Sequence, residues 1–433
     1  METNLAKRNE TFLKGGKPLK IRVTGFFARE DDTFSTIMDS LSHEIGDSIE
    51  LIPVVDKDLH GEERINWNAP GVILIATGGV EHHVLKYISR IHEPIFLLST
   101  GEDNSMAASL EVMAALRNMG RDFHFSPGRA QIIDTLRRLA AASGTMTSLS
   151  RCKLGIIGPP SDWLVASAVD TMTLENRWGI RVVKIPMQQF LEQLESIEVK
   201  DENPFTELFL KKFNCWKGSE ARSTDPLFHH AAQIYTLLKS YVEKYELSAL
   251  TLNCFPLTNM GMTACLALAA LNHEGIISGC EGDVATTVSM MISRALLGVS
   301  SFMANVSWID SVEGDLELSH CTIDPSLVSD FELDTHFETN QGIAIRGRLK
   351  TPAPVTLFRL GGMDLDKWFI ASGSAINNLD GPHRCRTGVR IRCSREVALS
   401  LLQNPLGNHM LLVPGQHYET ISFLRRYREL ASK

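Results

Sequence analysis

Apolar residues in the first part of the chain concentrate in short runs, at 21–25, 49–55, 72–76 and 94–98, the last two unbroken. Polar or glycine-bearing breaks follow them, Thr77-Gly78-Gly79 after the third and Ser99-Thr100-Gly101 after the fourth. A helical stretch near residues 35–43 separates the first two. Strands alternating with helices of this size predict parallel strands joined by crossover helices. The glycine-bearing ends then lie at the carboxyl edge of the sheet, where open α/β folds bind ligands.

The pattern restarts near Arg151. Residues 153–157 read as a strand closing in Gly158-Pro159-Pro160-Ser161-Asp162, followed by a helix led by Trp163 and a strand at 180–184. Residues 192–223 are charged and broken by Pro204, and read as short helices and loop. A long helix at 225–245 follows, its apolar stripe formed by Leu227, Ala231, Ile234, Leu237 and Leu238, and then a strand at 249–252 ending in Asn253-Cys254. After Gly298 the runs become short, β-rich and separated by Gly, Pro or Asn, at 343–349, 355–360, 368–372 and 389–393. That texture predicts an antiparallel, barrel-like β domain. A strand at 410–413 and a helix at 419–430 close the chain. The expected layout is α/β: an α/β domain over 1–150, a second over 151–299, and a β-rich domain over 300–433.

Length supports this division, because 433 residues exceed what one hydrophobic core usually holds. Hydrophobic residues make up 44% and charged residues 22%, the balance of a globular protein. A formal charge of −8 and a pI near 6.0 leave no electrostatic footprint for nucleic acid. Residues 1–20 hold no apolar core of signal-peptide length, and no run reaches membrane-spanning length without charge, so a cytoplasmic protein with no membrane partner is expected. The eight cysteines contain no C-x-x-C pair. They read as reduced thiols, and a cysteine-built zinc site is disfavoured.

Two early motifs invite a chemical reading. Thr77-Gly78-Gly79-Val80-Glu81 has the glycines of a phosphate or sugar loop, but lacks a dinucleotide or Walker fingerprint and reads rather as a strand-to-helix turn. His82 and His83 are neighbours on a helix, point in different directions, and read as surface groups.

The chemistry concentrates between Leu252 and His409. In order, the chain carries Asn253-Cys254-Phe255-Pro256, Leu271-Asn272-His273-Glu274-Gly275, Cys280-Glu281-Gly282-Asp283, Ser301-Phe302-Met303-Ala304-Asn305, Ser319-His320-Cys321 and Gly407-Asn408-His409. Each lies at the edge of an apolar run, where a rigid scaffold presents side chains to a ligand. This series resembles the L-fucose/L-arabinose isomerase family, whose members interconvert aldoses and ketoses on a divalent metal, usually manganese. The resemblance implies two Rossmann-like doubly wound domains, a C-terminal antiparallel β-barrel-like domain, and an active site between the last two. It also implies a small-molecule sugar substrate and a homo-oligomer, trimeric or hexameric.

Moving a carbonyl between two sugar carbons by the enediol route requires taking a proton from carbon, a task for a metal and a carboxylate. Oxygen ligands suit manganese or magnesium, and imidazoles tilt the choice toward manganese. Glu281 is the first candidate acid, both as metal ligand and in catalysis; in the first turn of a helix over 282–297 its charge would sit at the favourable end of the helix dipole. The resemblance assigns His409 and His320 as metal ligands and Asn408 as a sugar contact; Asn253 and Asp283 are further candidate substrate contacts. One position departs from the family: an acid is expected after Phe302-Met303, and Asn305 stands there. An amide binds metal weakly and is no base at neutral pH. Asp310 and Asp283 are then the candidates for the second catalytic acid, and a sugar-binding relative without catalysis is the alternative.

Overall fold

The structure is a computed structural model that describes residues 18–28, 33–55, 69–167, 169–199, 204–212, 226–381 and 383–432. The expected short helices between 192 and 223 fall partly outside these residues. Two compact units are present, one of Lys14–Thr145 with Glu419–Lys433, the other containing Met146–Tyr418. Residues 151–299 and 300–418 thus share one unit, and the last helix, Tyr418–Ala431, lies almost wholly with the first.

The smaller unit is a parallel sheet of β1 (Leu19–Phe26), β2 (Ile49–Val55), β3 (Gly71–Ile75), β4 (Phe96–Ser99) and β5 (His124–Pro127). The strand order is β2-β1-β3-β4-β5, so the direction of winding reverses between β1 and β3. Ile73, Ile75 and Leu97 are buried with Val84, Ile88 and Val112 of the crossover helices, which is why these strands read as continuous apolar runs. The Thr77–Gly79 turn is closed by Gly78 N–H donating to Asp103 O at 2.8 Å, and His82 and His83 are exposed on the following helix.

The larger unit opens with a second parallel sheet of β6 (Lys153–Ile157), β7 (Arg181–Ile185), β8 (Ala249–Leu252) and β9 (Ile277–Gly279), in the order β7-β6-β8-β9. Six antiparallel strands then close into a barrel in the order β10-β11-β16-β15-β14-β17. They are β10 (Phe302–Asp310), β11 (Asp315–His320), β14 (Ala353–Gly361), β15 (Lys367–Leu379), β16 (Thr387–Arg392) and β17 (His409–Pro414). A separate ribbon pairs β12 (Val328–Asp334) with β13 (Ala344–Leu349). The fold is therefore mixed α/β with parallel sheets followed by an antiparallel barrel. No described helix is long and apolar enough to cross a membrane.

The helix Val284–Leu297 joins the second sheet to the barrel. Its residues from Val284 to Ser293 are buried, with threonines and serines among the apolar side chains. Those small polar groups meet β14: Leu360 N–H donates to Ser289 Oγ at 2.9 Å, and Arg359 Nη1 to Thr286 Oγ1 at 2.9 Å. Covered by this helix outside and by the barrel core inside, β14 is buried on both faces from Val355 to Gly361.

The segment after β6 departs from expectation. Trp163 leads no helix; residues 158–167 form turns and bends, and helical structure begins at Thr171 behind the Asp170 cap. Two prolines at 159 and 160 withhold backbone donors, and the loop is drawn instead against the turn after β9, where Ser161 N–H donates to Glu281 O at 2.9 Å.

Candidate functional site

Three chain segments meet where the second sheet faces one end of the barrel. Glu281 follows β9, His320 ends β11, and His409 begins β17. All three are buried, with 7%, 4% and 0% of their surface exposed. One ligand-type atom from each lies within 4.8 Å of the others, and no other cluster of metal-ligating residues of this kind is found among the described residues. Glu281 Oε1 stands 3.5 Å from His409 Nε2 and 3.7 Å from His320 Nε2. The two imidazoles meet nearly edge-on, their centroids 5.5 Å apart.

Glu281 is outside the helix. The helix begins at Val284, capped by Asp283, whose carboxylate accepts the Thr286 N–H at 2.9 Å and the Thr286 Oγ1 hydroxyl at 2.7 Å. The expected helix-dipole role therefore falls to Asp283. Glu281 and Gly282 form the turn before it in left-handed backbone, φ 60° and 69°. A side chain at Gly282 would stand 2.9 Å from Pro159 O, so glycine lets the preceding loop close over the turn. Left-handed geometry at a glutamate costs about 1–2 kcal/mol, the kind of strain that persists where surrounding contacts fix it. Here Ser161 holds the Glu281 carbonyl and Trp163 Nε1 donates to Glu281 Oε2 at 2.7 Å.

Asp283, expected as a substrate contact or second acid, faces His409 and Arg359. Fully buried, it accepts His409 Nδ1–H at 2.9 Å and pairs with Arg359 at 3.5 Å. Burial alone would raise its pKa, but His409 and Arg359 outweigh this and hold it at about 2. Arg359 has no exposed surface and donates to Ser167 Oγ at 2.8 Å, to Leu406 O at 3.1 Å and to the His409 carbonyl. Burial also disfavours a charged His409, yet the bond to Asp283 and the charge of Glu281 raise its pKa to about 9. The same two histidines hold Glu281 well below the usual carboxylate range, against the upward push of its burial.

The donor set suits a divalent metal. His409 Nε2 is buried, finds no hydrogen-bond partner, and faces Glu281 Oε1, while its Nδ1–H is fixed by Asp283. A carboxylate behind a histidine orients the ring and raises its basicity toward metal. His320 is presented differently: its Nδ1 accepts the Thr322 N–H at 3.2 Å, so the neutral ring carries its proton on Nε2, toward the site. Metal ligation at that atom requires this proton to move to Nδ1, and His409, raised to about 9, must likewise release the proton on its Nε2.

Other sequence candidates sit elsewhere. Asp310 pairs with Asp315 at the hairpin between β10 and β11, roughly 17 Å along the strand from His320 at 3.4 Å per residue. There its carboxylate accepts the Val312 and Glu313 N–H groups at 2.8 and 3.1 Å. That turn, not the site, explains its acid. Asn305 lies opposite His409 in the β10–β17 register, and its Oδ1 accepts Asn408 Nδ2 at 2.9 Å. Asn253, nearly buried after β8, accepts the Ser161 hydroxyl at 3.2 Å.

Sequence reading missed several neighbours. Phe255 stands edge-on to Trp163, centroids 4.4 Å apart, and to His336 at 5.9 Å. Burial, with the nearby charge of His320, lowers His336 to about 4. Glu338 in the same loop is raised by burial and by the like charge of Glu281. The described cysteines are free thiols, and Cys254 Sγ lies 3.2 Å from Cys280 Sγ beside Glu281.

No protein-family model matches the chain. Among curated proteins it is 22% identical to the sulfoquinovose isomerase of Priestia aryabhattai over 261 residues, 55% of each chain. It is 23% identical to that of Alkalicoccus urumqiensis over 268 residues, 60% of this chain and 59% of the relative. With the sulfoquinovose isomerase of Clostridium sp. (strain MSTE9) the identity is 24% over 225 residues, 50% of this chain and 49% of the relative. The chain thus spans about half the length of the curated relatives it matches.

Proposed function

We propose that this protein is a metal-dependent sugar isomerase that interconverts an aldose and a ketose. The observation that carries the reading is the buried set of Glu281, His320 and His409, with Asp283 behind His409, in a chain similar to sulfoquinovose isomerases. Glu281 Oε1 and His409 Nε2, once the latter has released its proton, would hold a divalent ion such as Mn2+, with His320 joining when its ring proton sits on Nδ1. Such an ion supplies positive charge that acidifies the carbon-bound proton beside a sugar carbonyl and offsets charge developing on the sugar oxygens.

The protein groups do the rest. Asp283 keeps the His409 ring in one tautomer and one orientation. Trp163 and the left-handed turn present Glu281 Oε1 toward the histidines, so that its charge faces the ion and a sugar placed against them. His320 offers an N–H to a sugar oxygen. The enclosing Trp163, Phe255 and His336 give the sugar's apolar faces a surface to rest on.

Sulfoquinovose heads the substrate panel because the relatives carry that name, followed by neutral aldoses. The test is incubation of metal-stripped and manganese-loaded protein with each aldose in D2O, following ketose formation and deuterium uptake by NMR. Ketose from at least one sugar, dependent on added metal and abolished by Glu281→Gln, is expected. No ketose and no exchange from any sugar would remove the isomerase reading. Asn305, where the resemblance to the L-fucose/L-arabinose isomerases implies an acid, favours a second reading, a sugar-binding relative without catalysis. That reading requires sugar binding in the same experiment with no exchange.

A further inference from the structure

We infer that Trp163 is a positioning residue for Glu281: its indole N–H occupies the outer carboxylate oxygen, so that the acid offers the two histidines a single oxygen. The inference rests on the metal reading of the site and adds a residue to it.

The bond joins an exposed side chain to a buried one. Trp163 has 50% of its surface exposed, whereas Glu281 has 7%. A tryptophan in a soluble protein is usually well buried, and burial of its ring is what ordinarily fixes it. Here the ring has only a partial apolar contact, edge-on to Phe255 at 4.4 Å. Its N–H is the part that points inward, donating to Glu281 Oε2 at 2.7 Å. A hydrogen bond to an ionised carboxylate away from bulk water is among the stronger ones available.

The bond also divides the carboxylate. Oε2 is held by the indole, while Oε1 lies 3.5 Å from His409 Nε2 and 3.7 Å from His320 Nε2. A free carboxylate can bind a divalent ion through one oxygen or two. With Oε2 engaged, only Oε1 remains, and the rotation that would bring both oxygens inward requires the indole bond to break. Trp163 thus sets the direction of the charge at the point where ligand geometry decides affinity.

The loop does not need the indole N–H to stay in place. Ser161 N–H donates to Glu281 O at 2.9 Å, Ser161 Oγ donates to Asn253 Oδ1 at 3.2 Å, and Gly282 lets Pro159 and Pro160 pack against the turn. Phenylalanine at 163 can keep the edge contact with Phe255 and lacks only the donor. Trp163→Phe therefore isolates the proposed role from folding.

The test is calorimetric titration of metal-stripped wild type and Trp163→Phe with MnCl2, with tryptophan emission recorded in parallel and thermal melting as the folding control. Wild type should bind one manganese per chain with a change in emission. Trp163→Phe should melt like wild type, bind manganese about tenfold more weakly and lose most of the emission change. With manganese saturating, its KM for the sugar found active should stay within twofold while kcat falls. Wild-type manganese affinity in Trp163→Phe overturns the inference and leaves the metal site standing. No manganese binding by wild type overturns both. If Trp163→Phe melts lower, Trp163→His, which restores a ring N–H, must recover manganese affinity, and failure to do so also overturns it.

Discussion

Replacing Arg359 by methionine tests whether the site's foundation is the buried network behind His409. The substitution keeps an unbranched side chain in β14 but removes the guanidinium, which has no exposed surface. Four acceptors lose a donor: Ser167 Oγ, Leu406 O, Thr286 Oγ1 and the His409 carbonyl. Asp283 loses a counter-charge at 3.5 Å, retaining only His409. Breaking a buried ion pair by removing one partner costs about 3–5 kcal/mol, because the remaining charge stays buried. Part is recovered by His409, whose charge persists beside Asp283, so a loss of about 3 kcal/mol is expected. Domains typically hold 5–15 kcal/mol in all, so the variant should fold but open easily. Hydrogen exchange is the suitable assay, since a chain of two units need not unfold in one step. Amides of the helix Val284–Leu297 and of β17 should lose protection equivalent to that amount. In a cycle with Asp283→Asn the double variant should be less destabilised than the sum of the singles, by roughly 1–3 kcal/mol. A loss below about 1 kcal/mol for Arg359→Met, or strict additivity in the cycle, would refute the argument.

Asp283→Asn alone should weaken manganese binding by roughly 10–100-fold, the usual effect of losing the group that orients a ligating histidine, and calorimetry reads it directly. His409, raised to about 9, contributes stability that is fully present below its unfolded value near 6.5 and is lost as pH rises through 9. Melting temperatures of the metal-free protein should therefore fall between pH 6.5 and 9.5, and Asp283→Asn should flatten that slope; an unchanged slope would mean that Asp283 is not what raises His409. Asn305→Asp adds a charge opposite His409 in the β10–β17 register and should tighten manganese binding; affinity equal to wild type would place residue 305 outside the metal's reach.

The sequence was most legible where local and global preferences agreed. Strands β6, β8 and β17 are apolar runs ended by polar or glycine breaks, and all are buried with their neighbours, so the pattern predicts both their existence and their ends. Arg359 shows the limit. An arginine in a β run is ordinarily read as facing solvent, because strands with one wet face alternate. The unbroken apolar residues on either side of it were the available signal that β14 has no wet face, covered as it is by the helix Val284–Leu297. Asp310 failed for the opposite reason: proximity in sequence to Asn305 suggested reach, but an antiparallel strand carries successive residues steadily away from its end. The helix expected to begin at Trp163 is absent, and the hydrogen bond from Trp163 to Glu281 is a contact across more than a hundred residues that no local rule contains.

Asp283 explains why the site and the fold cannot be separated. An aspartate three residues before a threonine at the head of an apolar helix is an ordinary capping signal, and the structure fulfils it with two bonds from Thr286. The same carboxylate receives His409 Nδ1–H and faces Arg359. One buried acid therefore ends the turn that displays Glu281, starts the helix that covers the barrel, and fixes the ring that faces Glu281 from β17. A buried carboxylate is costly unless every oxygen has a partner. Here the groups that satisfy it come from the helix head, β14 and β17, so docking of the barrel onto the second sheet and orientation of His409 are completed by the same bonds. Any substitution that improves the cap alone, such as serine at 283, would keep the Thr286 contact yet leave His409 and Arg359 without their anion. Such a variant should retain the helix while losing metal affinity, and it is this separation that identifies Asp283 as part of the site.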